Sequence, residues 1–314
     1  MAERRLMWLG LALGLACALY LIWGLAGPTG YILTLRGTRL AGLLLVGASL
    51  GAATVIFQTL VGNRLLTPGI AGFDALFVLI QTTLILTLGG IGYTALPALP
   101  KFLIEAGCLS GAAMLLFGTV LRAGSGDMTR LVLTGVIFGV MMRGLTSFMQ
   151  RILDPSEFAV AQFSSFASFS RVDPTQLALA APVFGVALIA ALRLAPALDV
   201  ASLGRRAALT LGVDHDRLTL AGLAIVAVLV AISTALAGPV TFLGLLASSL
   251  AAAMLPVWRH RLLIPAAAAL GGLILTSGQF LFERVLGLQS TLAVIVEFAG
   301  GLLFLFLVLK RRAT

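Results

Sequence analysis

The stretch that decides the fold runs from Arg36 to Asp74 and reads RGTRLAGLLLVGASLGAATVIFQTLVGNRLLTPGIAGFD. Arg36 and Arg39 open an apolar run over about 40–60 that is dotted with Gly and Ala. A polar break follows, from Gln58 through Asn63 and Arg64 to Pro68-Gly69, and a second apolar run begins near Phe73. Roughly 20 consecutive apolar residues are what a helix needs to cross the hydrocarbon core of a bilayer. The stretch therefore reads as one membrane span, a polar turn and the start of another.

The whole chain has that character. It is 60% hydrophobic and 11% charged over 314 residues, and its mean hydropathy is +1.10. A soluble domain carries about a quarter charged residues, so this composition belongs to a membrane protein. The apolar runs far exceed the roughly 10-residue alternating strands of a barrel. Candidate spans fall near 7–26, 40–60, 73–90, 102–121, 130–150, 176–196, 219–237, 241–257, 262–282 and 292–309. The sequence thus predicts an all-α integral membrane bundle of about ten transmembrane helices over 1–314. The run after Gly238-Pro239 is short and fits a broken or half helix. The Phe- and Ser-rich stretch within 150–175 predicts a short interfacial helix. Met7–Ala26 lacks an evident cleavage site and is kept as the first span.

With the N-terminus inside, the cytoplasmic set comprises Arg4, Arg5, Arg64, Arg122, Arg130, Arg193, Arg205, Arg206, Arg217, Arg259, Arg261, Lys310, Arg311 and Arg312. Arg36, Arg39, Lys101, Arg151, Arg171 and Arg284 fall outside, and Arg143 falls within a span. This bias obeys the positive-inside rule and places both termini in the cytoplasm. The net charge of +9 is thereby explained without nucleic acid. Cys17 and Cys108 lie in apolar runs and read as packing residues rather than a disulfide.

No G-x-x-x-x-G-K-[ST] loop occurs, and neither lysine, Lys101 or Lys310, follows a glycine. The chain has no usual means of cradling ATP phosphates. HExxH is likewise missing. His215 and His260 fall in cytoplasmic loops and read as solvated. Asp74, Glu105, Arg143 and Glu297 lie in or beside apolar runs, where an ionisable group needs a partner helix or a water-filled path. Their scatter favours interhelical pairing, with Arg143 as counter-ion, over a proton relay. Gln58, Gln81 and Gln150 are candidates for interhelical hydrogen bonds.

The quoted stretch resembles the FecCD-type permeases, the membrane subunits of bacterial ABC importers for iron-siderophores, haem and vitamin B12. The resemblance rests on R-x-x-R at Arg36 and Arg39, G-A-x-L with a later Gln58, and Asn63-x-Leu65-x-x-Pro68-x-x-x-Gly72. Asn63-Arg64-Leu65-Leu66-Thr67-Pro68 and Gly72-Phe73-Asp74 look most like the iron-siderophore branch, where two different permeases pair. The resemblance implies a type II ABC importer permease architecture without catalysis or cofactor. It also implies ABC ATPase subunits, a second permease, a periplasmic binding protein and a ferric siderophore as partners in the bacterial inner membrane.

The cytoplasmic loop over about 195–218 strengthens it. Leu203-Gly204, Ala208 and Leu211-Gly212-Val213 match L-G-x-x-x-A-x-x-L-G-V, which in the family holds the coupling helix that docks in the ATPase. Leu203, Gly204, Arg205, Ala208, Leu211 and Gly212 are the implied coupling residues. Ser202 is a candidate cap, Gly212 a left-handed stop, and Ala207, Ala208 and Leu211 a contact face with Arg205 and Arg206 beside it. Arg36, Arg39 and Arg284 match arginines that pair with glutamates of the binding protein. Headgroup snorkelling is the alternative.

The chain also departs from the family. The E-L-P expected after Arg284 is Leu288-Gln289-Ser290, and the expected Pro-His and Arg after Phe242-Leu243-Gly244-Leu245 are missing. Gly47, Gly51 and Gln58 are candidate pathway residues on a span that lies near the pathway in the family. For the glycines, tight helix packing is an equal alternative. A proton-coupled secondary transporter using Asp74, Glu105 or Glu297, and a membrane enzyme, are the competing function classes.

Overall fold

The computed structural model describes residues 2–25, 28–122, 128–255, 257–287 and 292–311. The helices are α1 (Ala2–Ile22), α2 (Thr29–Val61), α3 (Phe73–Ala95), α4 (Ala98–Arg122), α5 (Met128–Gln150) and α6 (Pro155–Ser165). Then come α7 (Pro174–Ala201), α8 (Arg205–Thr210), α9 (His215–Ala237), α10 (Leu243–Met254), α11 (His260–Phe280) and α12 (Leu292–Arg311). A π turn, Leu281–Val285, extends α11. No strand occurs among the described residues.

Eight described helices are long and apolar enough to span a bilayer: α1–α5, α7, α9 and α11 with its π turn. The apolar stretches of α10 and of α12 (Leu292–Phe306) are shorter. With 12 residues at 1.5 Å each, α10 is about 18 Å long, against a hydrocarbon core of about 30 Å. It is a half helix, reached through the non-helical link that begins at Gly238. The third span outruns its expected end at 90 and continues to Ala95 across a kink at Gly89, where φ is 74°. The interfacial helix expected within 150–175 is α6.

The core is built around α2 and α9. Their apolar windows are 83% and 72% buried, against 11% for α1 and 17% for α7. A helix that is apolar on every side is stable only when surrounded by other helices or by lipid. Here α2 packs against α11, α9, α10 and α7. Contact in lipid depends on close fit rather than on water exclusion, so small residues set the closest crossings.

At the α2–α11 crossing, a Cβ on Gly47 would lie 2.4 Å from the backbone of Gly271, and one on Gly51 would lie 2.2 Å from the Ala267 carbonyl oxygen. Gly47 and Gly51 are therefore closed into a helix crossing. This is the tight helix packing that the sequence offered as the alternative to a place beside the pathway. Both cysteines are free, Cys17 half-buried and Cys108 exposed.

Candidate functional site

Functional residues gather at the two ends of the bundle and at the start of α10. At one end α7 runs into α8. Its C-cap is Ser202, whose hydroxyl donates to the Asp199 carbonyl at 2.6 Å. The cap of α8 is instead Gly204, at φ 96°, and the element ends before Gly212, at φ 81°. Both angles lie where an L side chain is strained, so these two glycines fix where α8 begins and stops. The Val213 N–H donates to the Ala208 carbonyl at 2.9 Å and closes the end. Ser202 thus caps the preceding helix and not α8.

The exposed face of α8 also differs from expectation. Ala208 is fully buried against the chain's own bundle, because it sits on the inner side of a single turn. Leu203, Leu209 and Leu211 point outward and are 66%, 50% and 61% exposed. Leu209 was not singled out by the sequence pattern. A leucine one residue beyond the motif alanine was its only signal. Arg205 pairs with Asp216 at 3.0 Å, and that hydrogen bond raises its pKa above the ordinary arginine value. Arg206 is exposed.

Behind α8 lies a side-chain chain that the sequence did not announce. His215 and His260, expected in solvated loops, are the first residues of α9 and α11 and are 5% and 3% exposed. Both the backbone N–H and the Nδ1 of His260 meet Asp199 Oδ1, at 2.7 and 2.6 Å. Its Nε2 lies 2.7 Å from Thr59 Oγ1. Asp199 is in the last turn of α7 and Thr59 in the last turn of α2. His260, Thr59, Gln58 and Ser202 border a cavity of about 490 Å³. Gln58 donates through Nε2 to the Arg64 carbonyl at 2.6 Å. It is the one expected pathway residue that faces open space.

At the opposite end, Arg36, Arg39 and Arg284 come together around Tyr20 and Glu283. Arg36 is 5% exposed. Its guanidinium donates to the carbonyls of Leu21 and Trp23 at 2.8 Å each and to Gly24 at 3.3 Å. It therefore caps the C-terminus of α1, where a cation satisfies free carbonyls and the helix dipole. That engagement ties Arg36 into the chain's own fold. Arg39 is paired with Glu283 at 3.3 Å, both partly exposed. The stretch after Arg284 at Leu288, Gln289 and Ser290, like the side chains of Arg130, Arg171, Lys310, Arg311 and Arg312, lies outside the described residues. Near this end Asp173 caps α7. The Thr175 hydroxyl and N–H both donate to it and hold its pKa below the ordinary aspartate value.

Between the ends, the structure draws together residues that looked scattered. Thr241, in the link before α10, donates its hydroxyl to Asp74 at 2.5 Å and its backbone N–H to Glu297. Arg143 acts on Asp74 through space. Glu105 stands apart, accepting from Gln81 at 3.4 Å across α3 and α4. With Lys101 and Gln176 these two border a separate cavity of about 210 Å³.

Comparison with known proteins follows the same lines. The FecCD transport family model matches residues 9–310. The petrobactin import system permease protein YclO of Bacillus subtilis is 37% identical over 98% of both chains. The petrobactin permease FatC of Bacillus anthracis is 31% identical over 88% of this chain and 78% of its own. A metal-chelate type ABC transporter in an inward-facing conformation superposes with a TM-score of 0.84 over 99% of this chain and all of its own, at 22% identity. The chain belongs to the FecCD transport family and is a membrane-spanning permease subunit. Its fold is that of an ABC transporter membrane subunit.

Proposed function

We propose that the chain forms half of the pathway of an ATP-driven importer that carries a ferric siderophore into the cytoplasm across the bacterial inner membrane. Two relatives named as petrobactin permeases support the cargo class. The half helix α10 and the cavity of about 490 Å³ that its Ser248 and Ser249 border supply a path wall, and no bond chemistry is assigned to the chain. ATP is hydrolysed by separate ABC subunits. A second, related permease completes the path, and a periplasmic binding protein delivers the chelate. The basic residues place the α8 end and both termini in the cytoplasm and the arginine cluster on the outer side.

The observation that carries this reading is α8. Three large apolar side chains stand exposed, one on this six-residue helix and one beyond each of its ends, and the ends are fixed by Gly204 and Gly212. Such a face gains free energy only when a partner covers it. A short rigid element in a pocket is also what transmits a push between subunits. Leu203, Leu209 and Leu211 make the contact, Ala208 anchors α8 to the bundle, and the Arg205–Asp216 pair braces it. On the outer side, Arg39, Arg284 and Glu283 form the docking rim, with Arg36 holding α1 in place beneath it. Exposed charges of this kind steer encounter and set register.

The test is uptake by vesicles holding this chain, its partner permease and the ATPase, with the binding protein supplied outside. Iron-loaded siderophore should accumulate only with ATP, whereas haem and vitamin B12 should not. Accumulation driven by a pH gradient alone would replace this reading with secondary transport.

A further inference from the structure

We infer that His260 is the joint through which α8 moves the rest of the subunit. This rests on the reading of α8 as the ATPase-docking element and goes beyond it, by naming the residues that receive the push.

Asp199 stands in the last turn of α7, immediately before the link to α8. A displacement of α8 therefore reaches Asp199 through this short link, as it reaches α9 through the Arg205–Asp216 pair. Asp199 Oδ1 accepts twice from His260, from the backbone N–H at 2.7 Å and from Nδ1 at 2.6 Å. A carboxylate offers only acceptors, so Nδ1 carries the proton there and Nε2 is left to face Thr59 at 2.7 Å. Three helices, α7, α11 and α2, are joined at their cytoplasmic ends by one imidazole that is 3% exposed. Hydrogen bonds to charged groups in such surroundings are among the stronger ones.

What the joint moves is set by the rest of α2 and α11. These helices run antiparallel and touch at three levels. Thr59 meets His260 at the inner end, Gly47 and Gly51 meet Gly271 and Ala267 at mid-height, and Arg39 meets Glu283 at the outer end. At 1.5 Å per residue, Arg39 and Thr59 are about 30 Å apart. The middle contact is backbone against backbone and cannot slide without a clash. The pair behaves as a strut, and the imidazole links its inner end to the root of α8.

A carboxylate, imidazole and hydroxyl in line also occur in hydrolytic relays. Thr59, however, lies within α2, and its hydroxyl is 2.9 Å from the Val55 carbonyl of its own helix. The single hydrogen of the hydroxyl serves either Nε2 or that carbonyl, and a hydroxyl held between two acceptors on packed helices suits a tie rather than a nucleophile.

The experiment uses the assembled importer of this chain, its partner permease and the ATPase. It reads ATP hydrolysis and iron-chelate uptake in the same vesicles. His260→Ala should keep the ATPase bound and hydrolysing within about twofold, while uptake per ATP falls about tenfold or more, the scale of a lost charged hydrogen bond. Asp199→Asn keeps the Oδ1 acceptor but loses the charge and should fall between the parent and Asp199→Ala, which should match His260→Ala. Combining Asp199→Ala with His260→Ala should cost no more than either alone, as expected of one joint. The Thr59→Val variant should show a smaller loss and Thr59→Ser none.

Unchanged uptake per ATP in His260→Ala would overturn the proposal. So would a parallel fall of uptake, hydrolysis and membrane level in that variant with Thr59→Val unaffected, since that would leave the imidazole a merely structural tie. Failure of the α8 reading itself is recognised separately: Leu211→Asp would then leave ATPase co-purification intact.

Discussion

The two ends of the α2–α11 pair solve opposite problems. At the outer end three arginines and one glutamate gather, and their partners lie largely within the chain: α1 carbonyls for Arg36 and Glu283 for Arg39. At the inner end the polar groups Asp199, His260 and Thr59 are satisfied inside, while Leu203, Leu209 and Leu211 are left in the open. The outer end is thus held mainly by the chain itself, with only the Nε atoms of the three arginines buried and unbonded, whereas the inner end leaves whole apolar side chains uncovered. Long charged side chains at a rim can rearrange to meet a transient visitor at small cost. An exposed leucine face stays unfavourable until it is covered, which suits a permanent partner.

The largest expected effect tests that asymmetry directly. Leu209→Asp combined with Leu211→Asp should abolish ATPase co-purification and reduce uptake to background, since central apolar anchors contribute about 2 kcal/mol or more each. Retained assembly would show that the leucines face lipid instead. Next is the rigid middle. Gly47→Leu drives a side chain into the Gly271 backbone and should lower the detergent melting point and membrane level, an overpacking cost of about 1–3 kcal/mol or more. Gly10→Leu, at a glycine with open space around it, should do neither. A Gly47→Leu variant of normal stability and altered cargo choice would return that residue to the pathway.

A smaller effect is expected outside. Arg39→Glu should weaken docking of the loaded binding protein several-fold at low salt, with the difference shrinking as ionic strength rises toward 1 M, where the screening length falls to about 3 Å. Equal affinity at low salt would remove Arg39 from the rim. Smallest for transport is Arg36→Met. It uncaps α1 and should reduce stability by about 1–2 kcal/mol, read by thermal unfolding, with docking affinity unchanged. Loss of docking as large as for Arg39→Glu would mean that Arg36 leaves its carbonyls to meet the partner.

Much of the fold was legible. Apolar runs of span length located each main helix, because a bilayer imposes length and backbone hydrogen bonding on any segment within it. The half helix showed as a short run after Gly238-Pro239, and α8 showed as a match around Leu203-Gly204 and Leu211-Gly212. The α8 contact face was misread at Ala208, since one buried turn cannot be told from an exposed one without knowing which side meets the bundle. At Gly47 and Gly51 the sequence leaves helix packing and a pathway wall as equal readings, for a related reason. A stripe of small residues says that something comes close, and it does not say whether that thing is a helix or a cargo.

The sequence by itself determined that the chain lies in a membrane and where its main helices run, and it carries no phosphate-loop motif. Those properties follow from composition, run length and local motifs, each contained within one segment. Only the tertiary structure decided that Asp199, His260 and Thr59 meet, that Arg36 caps α1, and that Asp74, Thr241 and Glu297 share one site. These partners are separated by between a dozen and some two hundred residues along the chain, and nothing in an isolated helix specifies which face of which neighbour it will meet.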